Sequence, residues 1–290
     1  MLQFLLDPMT YGFMQRGLVA SVLVGIVCAV MGAFVVLRGL AFIGDAVSHA
    51  AFPGLVIAYM LGIPLYVGGA VAAVGTALAI GAVARRGALR FDTAVGVLFA
   101  GTFAFGILLF STIQNYVADL FSYLLGNVLG ITFADIVQIG ILGGVVLLVV
   151  AFLRKELLYS SFDPSGAAAS GLPVVALDYL LLGLVGVTIV VSIQAVGIIM
   201  VVAMLVTPAA TGQLLVDTFW DLVKIAIAVA VLAAVSGLYL SFYLNVASGA
   251  SIVLVETLLF GLALLFSPKA GWISQRRWRR PAPVMGEPEH

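Results

Sequence analysis

Residues 17–37, GLVASVLVGIVCAVMGAFVVL, contain no charged side chain and can cross a bilayer as one helix. The hydrocarbon core of a bilayer is about 30 Å thick, and a helix needs roughly 20 apolar residues to span it. Similar apolar stretches follow near 42–61, 66–84, 93–112, 133–153, 177–194, 197–216, 223–244 and 251–267. The amphipathic segment 116–130 is interpreted as a short interfacial helix. We therefore predict an all-α, polytopic transmembrane helical bundle with eight or nine spans.

The composition excludes several other classes of protein. The chain is 63% apolar and only 9% charged, whereas soluble domains carry about 25% charged residues. Its net charge of zero provides no basic surface for a nucleic acid. The single cysteine, Cys28, excludes an intrachain disulfide and a cysteine metal cluster, and we interpret it as a buried apolar side chain.

The lysines and arginines predict how the chain is oriented in the membrane. If the spans alternate in direction, every basic residue except Arg16 falls on one side. Basic loops mark the cytoplasmic side, so we predict a cytoplasmic C-terminus. The transmembrane domain is expected to cover residues 1–268. The tail 269–290 is expected to begin with a basic membrane anchor and to continue as a disordered segment rich in Pro and Glu.

Asp45 and His49 are the most informative polar residues, because they lie within an apolar span. Four residues apart, they project from one face of a helix. An acidic side chain at the centre of a membrane helix costs about 2.5–3.5 kcal/mol on insertion scales, so it needs a partner or a polar path. Carboxylate plus imidazole suits Mn(II), Fe(II) or Zn(II), and the lack of thiolate argues against Cu(I). Two alternatives stay open: Asp45 caps a helix while His49 bonds a neighbouring helix, or the pair relays protons.

Four segments, in order, resemble one known family. They are 32–54 (GAFVVLRGLAFIGDAVSHAAFPG), 157–173 (LLYSSFDPSGAAASGLP), 194–212 (QAVGIIMVVAMLVTPAATG) and 245–268 (NVASGASIVLVETLLFGLALLFSP). They are similar to the membrane-spanning permease subunits of the manganese, zinc and iron uptake family of bacterial ATP-binding-cassette importers. The residues in these motifs are most similar to those of the manganese branch of the family.

The resemblance implies roles for particular residues. Asp45 and His49 match the pair that handles metal in the translocation path of the family. The loop at about 156–176, with a short helix after Asp163 and Pro164, would couple the chain to an ATPase. The residues implied in this contact are Phe162, Asp163, Pro164, Ala168 and Gly171. Glu256 departs from the family pattern, and we expect it either to line the path or to pair with Arg or Ser on another helix.

The implied function is import of a divalent transition metal, first of all Mn(II), with Zn(II) and Fe(II) as further candidates. The chain lacks a phosphate-binding Gly-x-x-x-x-Gly-Lys-Ser/Thr loop, so it is not itself an enzyme, and a separate subunit would hydrolyse ATP. No tightly bound cofactor is expected. The implied partners are a second permease chain, an ATPase dimer, an extracellular or periplasmic metal-binding protein and the lipid of the bacterial cytoplasmic membrane.

Two rival functions are consistent with parts of the sequence. One is an importer of the same architecture for a metal chelate of the siderophore or cobalamin type. Such substrates are bulky, and an ionic Asp–His pair within one helical turn fits a bare ion better. The other is a secondary metal transporter driven by an ion gradient, which would need no ATPase and no cytoplasmic docking loop.

Overall fold

The computed structural model of the chain describes residues 7–85, 87, 90–113, 128–267 and 269. Every regular element within them is helical. In chain order the α-helices are α1 (Gly12–Leu37), α2 (Ala41–Leu61), α3 (Leu65–Arg85), α4 (Phe91–Ser111), α5 (Phe133–Phe152), α6 (Arg154–Phe162), α7 (Pro164–Ala169), α8 (Val174–Val196), α9 (Ile198–Leu215), α10 (Phe219–Leu244) and α11 (Ser248–Phe266). Short 3-10 helices at Pro8–Thr10 and Val128–Gly130 precede α1 and α5.

Length and apolar composition confirm the predicted transmembrane bundle. Of the helices in the described part of the chain, eight are long and apolar enough to cross a bilayer, and α9 is a shorter apolar helix. The interfacial helix predicted at 116–130 falls mainly on residues 114–127, which lie outside the described residues. The same holds for the predicted tail beyond Lys269.

The helices end where the backbone leaves the helical region. Gly39 has φ +67° and follows α1. The amide of Gly39 donates to the carbonyl of Val36, and the amide of Leu40 donates to the carbonyl of Val35. This is the bond pattern of a Schellman motif, which satisfies the last carbonyls of a helix and reverses the chain sharply. A second break, at Gly197 with φ +81°, separates α8 from α9 by one residue.

α1 lies at the centre of the bundle and packs against α5, α8, α9 and α10. Its buried side chains include Cys28, which is fully buried as predicted. α2 packs most extensively on α3. At their crossing, a methyl group built on Gly54 would overlap the carbonyl oxygen of Gly68, and a methyl group on Gly68 would overlap that of Gly54. Only glycine allows two helix backbones to approach this closely.

Two basic residues meet at one end of the bundle. Arg38, directly after α1, and Arg85, at the end of α3, both form ion pairs with Asp178 near the start of α8. We call this the basic end. Arg16 lies near the opposite end of α1, where its Nε donates to the carbonyl of Ile131 at 3.0 Å. The predicted separation of Arg16 from Arg38 and Arg85 is therefore present, and the cytoplasmic position of the basic end stays a prediction.

Candidate functional site

Asp45 and His49 lie on α2, close to the basic end. The helix begins at Ala41 with Leu40 as its N-cap residue. Asp45 is therefore inside the helix, more than one turn from its first residue, and it does not cap it. The alternative in which Asp45 is a capping residue is wrong, because the α2 backbone is already helical at four residues before the carboxylate.

The imidazole of His49 is oriented by its own helix. Nδ1 of His49 lies 3.0 Å from the carbonyl oxygen of Asp45 and 3.4 Å from the Oδ1 atom of the Asp45 side chain. When Nδ1 carries the proton, it donates to the Asp45 carbonyl, and Nε2 keeps a free lone pair. A ring nitrogen in this state is suited to binding a metal, because the hydrogen bond at the other nitrogen fixes the tautomer.

Aromatic side chains of α4 hold the other side of the imidazole ring. The ring centroid of His49 lies 5.4 Å from that of Phe99 and 5.4 Å from that of Phe103, both in edge-to-face geometry. The two phenyl rings stack on each other with centroids 6.0 Å apart. Such contacts restrict the rotation of the imidazole, so they limit the directions in which its ring nitrogens point.

The pair faces outward from the single chain. The side chain of Asp45 is 50% exposed and that of His49 is 26% exposed. Phe42, one turn earlier on the same stripe of α2, is also exposed. Farther from the basic end this face of α2 is no longer exposed, because Phe52 and Val56 are buried against aromatic side chains of α4. The exposed part of this face, with Asp45 and His49, therefore lies near the basic end, and the part beyond it is covered by apolar side chains.

A single chain supplies an incomplete set of metal ligands. Among the described residues, no third His, Cys, Asp or Glu side chain joins Asp45 and His49 in a cluster that could hold a metal ion. Carboxylate oxygen and imidazole nitrogen can contact a passing divalent cation. Two protein ligands leave most of the coordination positions of the ion to water or to another protein surface.

Glu256 lies elsewhere, in the interior of the bundle. It is fully buried on the face of α11 that also carries Ile252 and Ala263. Neither carboxylate oxygen has a hydrogen-bond partner within the described part of the chain. The predicted pairing with Arg or Ser is therefore not found among these residues. Its role as a path-lining residue stays a prediction, and the structure places it away from the surface that Asp45 and His49 share.

The short helix predicted between the apolar stretches 133–153 and 177–194 is present as α7. The carboxylate of Asp163 accepts from the amide of Gly166 at 2.9 Å, and Pro164 occupies the first turn. At the other end, Gly171 has φ +87°, and the amide of Leu172 donates to the carbonyl of Ala167 at 3.1 Å. These are typical start and stop signals of a helix.

The implied coupling residues are all exposed. Ala167 is buried and anchors α7 to the bundle. Around it, the residues on the exposed side are Phe162, Asp163, Pro164, Ala168 and Gly171. Phe162 is 62% exposed, which is unusual for a large apolar side chain outside the membrane-spanning helices. The role of these residues in contact with an ATPase stays a prediction.

The Asp163 cap predicts a local effect on α7. Replacing Asp163 with alanine removes the acceptor for the Gly166 amide and should cost about 1 kcal/mol of local helix stability. We expect the α7 amides to exchange with deuterium about fivefold faster in Asp163→Ala, measured by mass spectrometry. Asp163→Asn keeps an acceptor at the same place and serves as the control. Equal exchange in both variants would contradict the role of the cap.

Sequence reasoning missed a cluster of side chains around Arg38. Nε of Arg38 donates to Ser161 Oγ at 2.8 Å, and one terminal nitrogen donates to Asp178 Oδ1 at 2.6 Å. The other terminal nitrogen donates to Ser160 Oγ at 3.1 Å. Arg85 bonds the second carboxylate oxygen of Asp178. The only sequence signals were a basic residue within the first motif and a lone acidic residue at the start of an apolar span.

Comparison with known proteins agrees with these features. The chain is 45% identical to "Manganese transport system membrane protein MntC" of Halalkalibacterium halodurans, over 96% of this chain and 95% of the relative. It is 41% identical to "Chelated iron transport system membrane protein YfeD" of Yersinia pestis, over 90% of this chain and 88% of the relative.

A solved structure shares the fold. It is described as "PsaBC from Streptococcus pneumoniae in complex with Fab" and superposes with a TM-score of 0.84 at 33% identity, over 95% of this chain and 100% of the other. The model of the family described as "ABC 3 transport family" matches residues 10–267. With the whole helical bundle and the Asp45–His49 helix inside the matched region, the chain belongs to the ABC 3 transport family.

Proposed function

We propose that this chain is the membrane permease of an ATP-driven importer that moves Mn(II) into a bacterial cell across its cytoplasmic membrane. The observation that carries the proposal is the Asp45–His49 pair, which faces outward from a membrane-spanning helix. Membership of the ABC 3 transport family and similarity to relatives named for manganese transport support this function.

The exposure of the pair needs a partner surface. A carboxylate on a membrane helix is unfavourable against lipid and is found where it faces protein or water. Asp45 is half exposed in the single chain, so we propose that a second copy covers this face. A two-fold axis duplicates every surface, and two copies of α2 on either side of one path would offer two carboxylates and two imidazoles to the ion.

The ligand types fit transport better than storage. Carboxylate oxygen and imidazole nitrogen accept Mn(II), Fe(II) and Zn(II), and the choice among these ions depends on geometry and availability. A path must bind the ion strongly enough to admit it and weakly enough to release it. Ligands shared between two chains, with water completing the coordination, meet both requirements.

The energy would come from a separate ATPase. The exposed residues in and around α7, among them Phe162 and Ala168, are the proposed contact with that subunit. An extracellular or periplasmic metal-binding protein would deliver the ion to the opposite end of the bundle. The name of the Yersinia pestis relative keeps a chelated-iron importer as the second candidate. Phe52, within one turn of His49, is buried against aromatic side chains of α4. This apolar packing favours the bare ion as substrate, because a chelate needs a wider polar path.

Uptake into proteoliposomes tests this function. The chain is reconstituted with its ATPase, and radioactive or dye-detected Mn(II) uptake is measured with ATP or with a non-hydrolysable analogue. We expect uptake only with ATP and the active ATPase. An ATPase variant without hydrolysis is the control. Uptake driven by an ion gradient without the ATPase would favour a secondary transporter, and competition with Fe(II), Zn(II) and an iron chelate ranks the substrates.

A further inference from the structure

We infer that Arg38 is a positioning residue that connects the α6–α7 segment to the helix carrying Asp45 and His49. This inference rests on the proposed function, since it concerns how an ATPase bound near α7 acts on the metal path. It identifies a residue that takes no part in metal binding and decides how much transport each ATP produces.

Arg38 binds the segment next to α7 through two serines. The hydroxyls of Ser160 and Ser161 both donate to the carbonyl of Leu157, at 3.1 Å and 2.6 Å. Their hydrogens are therefore engaged, and each oxygen is available only as an acceptor. The guanidinium of Arg38 donates to both oxygens. Two donors of one planar guanidinium group thus bond α6 at two points, while a third bonds Asp178 on α8, a geometry that a single ammonium group does not provide.

Arg38 is also tied rigidly to the metal pair. It lies between α1 and α2, in the Schellman turn that Gly39 completes. The amide of Ile43 donates to the carbonyl of Leu40 at 2.9 Å, which joins this turn directly to the first residues of α2. The turn contains no flexible residue beyond Gly39, whose amide is itself bonded. A shift of Arg38 would therefore move the start of α2, and with it Asp45.

The charges around Arg38 allow an alternative arrangement. Asp178 on α8 is shared by Arg38 and Arg85, so one carboxylate is balanced by two guanidinium groups. If Arg38 moves away, Asp178 keeps Arg85 as its partner. Because Asp178 keeps a cationic partner, its carboxylate is not left uncompensated when Arg38 leaves, and this lowers the free-energy cost of opening the pair. This is the property of a contact that exchanges between two arrangements.

A cavity beside the cluster provides space for that exchange. It has a volume of about 530 Å³ and is lined by Arg38, Arg85, Ser160, Ser161 and Asp178 together with apolar side chains such as Phe91. Both arginines can therefore change their hydrogen-bond partners without repacking the helices. Close-packed interiors otherwise resist such changes.

The test separates ATP hydrolysis from transport. In the reconstituted complex of permease and ATPase, we measure Mn(II) uptake and ATP hydrolysis in the same vesicles and take their ratio. For Arg38→Gln we expect hydrolysis to continue while uptake per ATP falls about tenfold, which is within the usual range of coupling between sites. The variant should fold, because Asp178 retains Arg85 and the two serines retain the carbonyl of Leu157.

Two further variants make the result specific. Lys224→Gln is the matched control, because it removes a cation whose partner, Asp221, lies on the same helix at 2.8 Å. It should keep the wild-type ratio. The double variant Ser160→Ala and Ser161→Ala leaves the Arg38–Asp178 pair intact and removes only the link to α6. We expect it to lower the ratio in the same direction as Arg38→Gln.

Each outcome decides one question. An unchanged uptake per ATP in Arg38→Gln would overturn the inference, including the case where hydrolysis and uptake fall together, since a purely structural role lowers both. A wild-type complex without ATP-dependent Mn(II) uptake would contradict the proposed function instead. A ratio that falls equally in Lys224→Gln would show that any lost cation has this effect, and would also overturn the specific role of Arg38.

Discussion

We expect Asp45→Asn and His49→Ala each to lower ATP-driven Mn(II) uptake about a hundredfold, with normal amounts of the chain in the membrane. Asp45→Asn keeps the size of the side chain and removes its charge. His49→Ala removes the free imidazole nitrogen. Loss of a ligand worth about 3 kcal/mol lowers occupancy of the path by the ion about a hundredfold, and in a two-fold assembly both copies change together.

The structure explains why folding should survive these changes. Both side chains are partly exposed, and the hydrogen bond of His49 Nδ1 goes to the backbone of its own helix. Their removal leaves no buried partner without a hydrogen bond. Asp221→Asn is the matched control, since Asp221 is an exposed carboxylate whose partner is Lys224. Near-normal uptake by both pair variants, at equal protein amounts, would remove the pair from the mechanism.

Gly54→Ala and Gly68→Ala are expected to destabilise the chain strongly. In either variant the new methyl group overlaps the backbone carbonyl of the facing helix. A backbone oxygen cannot rotate away, so α2 and α3 must separate and lose packing along their length. Overpacking of this kind costs about 3 kcal/mol. We expect less folded protein in detergent extracts and a lower unfolding temperature, measured by size-exclusion chromatography after heating.

Another glycine of α3, the helix that carries Gly68, provides the control. Gly75 on α3 has no heavy atom within 4 Å of a methyl group built on it. Gly75→Ala should leave stability unchanged or raise it, because alanine favours a helix by up to about 1 kcal/mol relative to glycine. If Gly54→Ala and Gly75→Ala unfolded at the same temperature, the close approach of α2 and α3 would not be a determinant of stability.

Local features of the molecule were predictable from sequence. The transmembrane spans follow from composition over about 20 residues at a time. Asp45 and His49 are four residues apart on one helix, so their shared face follows from helix geometry alone. The helix α7 has its own start and stop signals in Asp163, Pro164 and Gly171. In each case the deciding residues are neighbours in the chain.

Side chains that meet across the bundle were not predictable. Arg38 and Asp178 are separated by 140 positions, and no local pattern indicates that the end of α1 lies beside the start of α8. Glu256 shows a second difficulty. A membrane helix is apolar on all sides, so hydrophobic periodicity does not reveal which face turns inward. The burial of Glu256 on α11 depends on packing with other helices, which the sequence of α11 alone does not determine.

The break at Gly197 has a consequence for how the chain fits its membrane. Its backbone angles, φ 81° and ψ 168°, belong to a region that is open almost only to glycine. Without the break, Val174 to Leu215 would form one straight rod about 63 Å long, about twice the thickness of the hydrocarbon layer. One residue without a side chain thus divides this stretch into two helices, α8 and α9, which pack against each other.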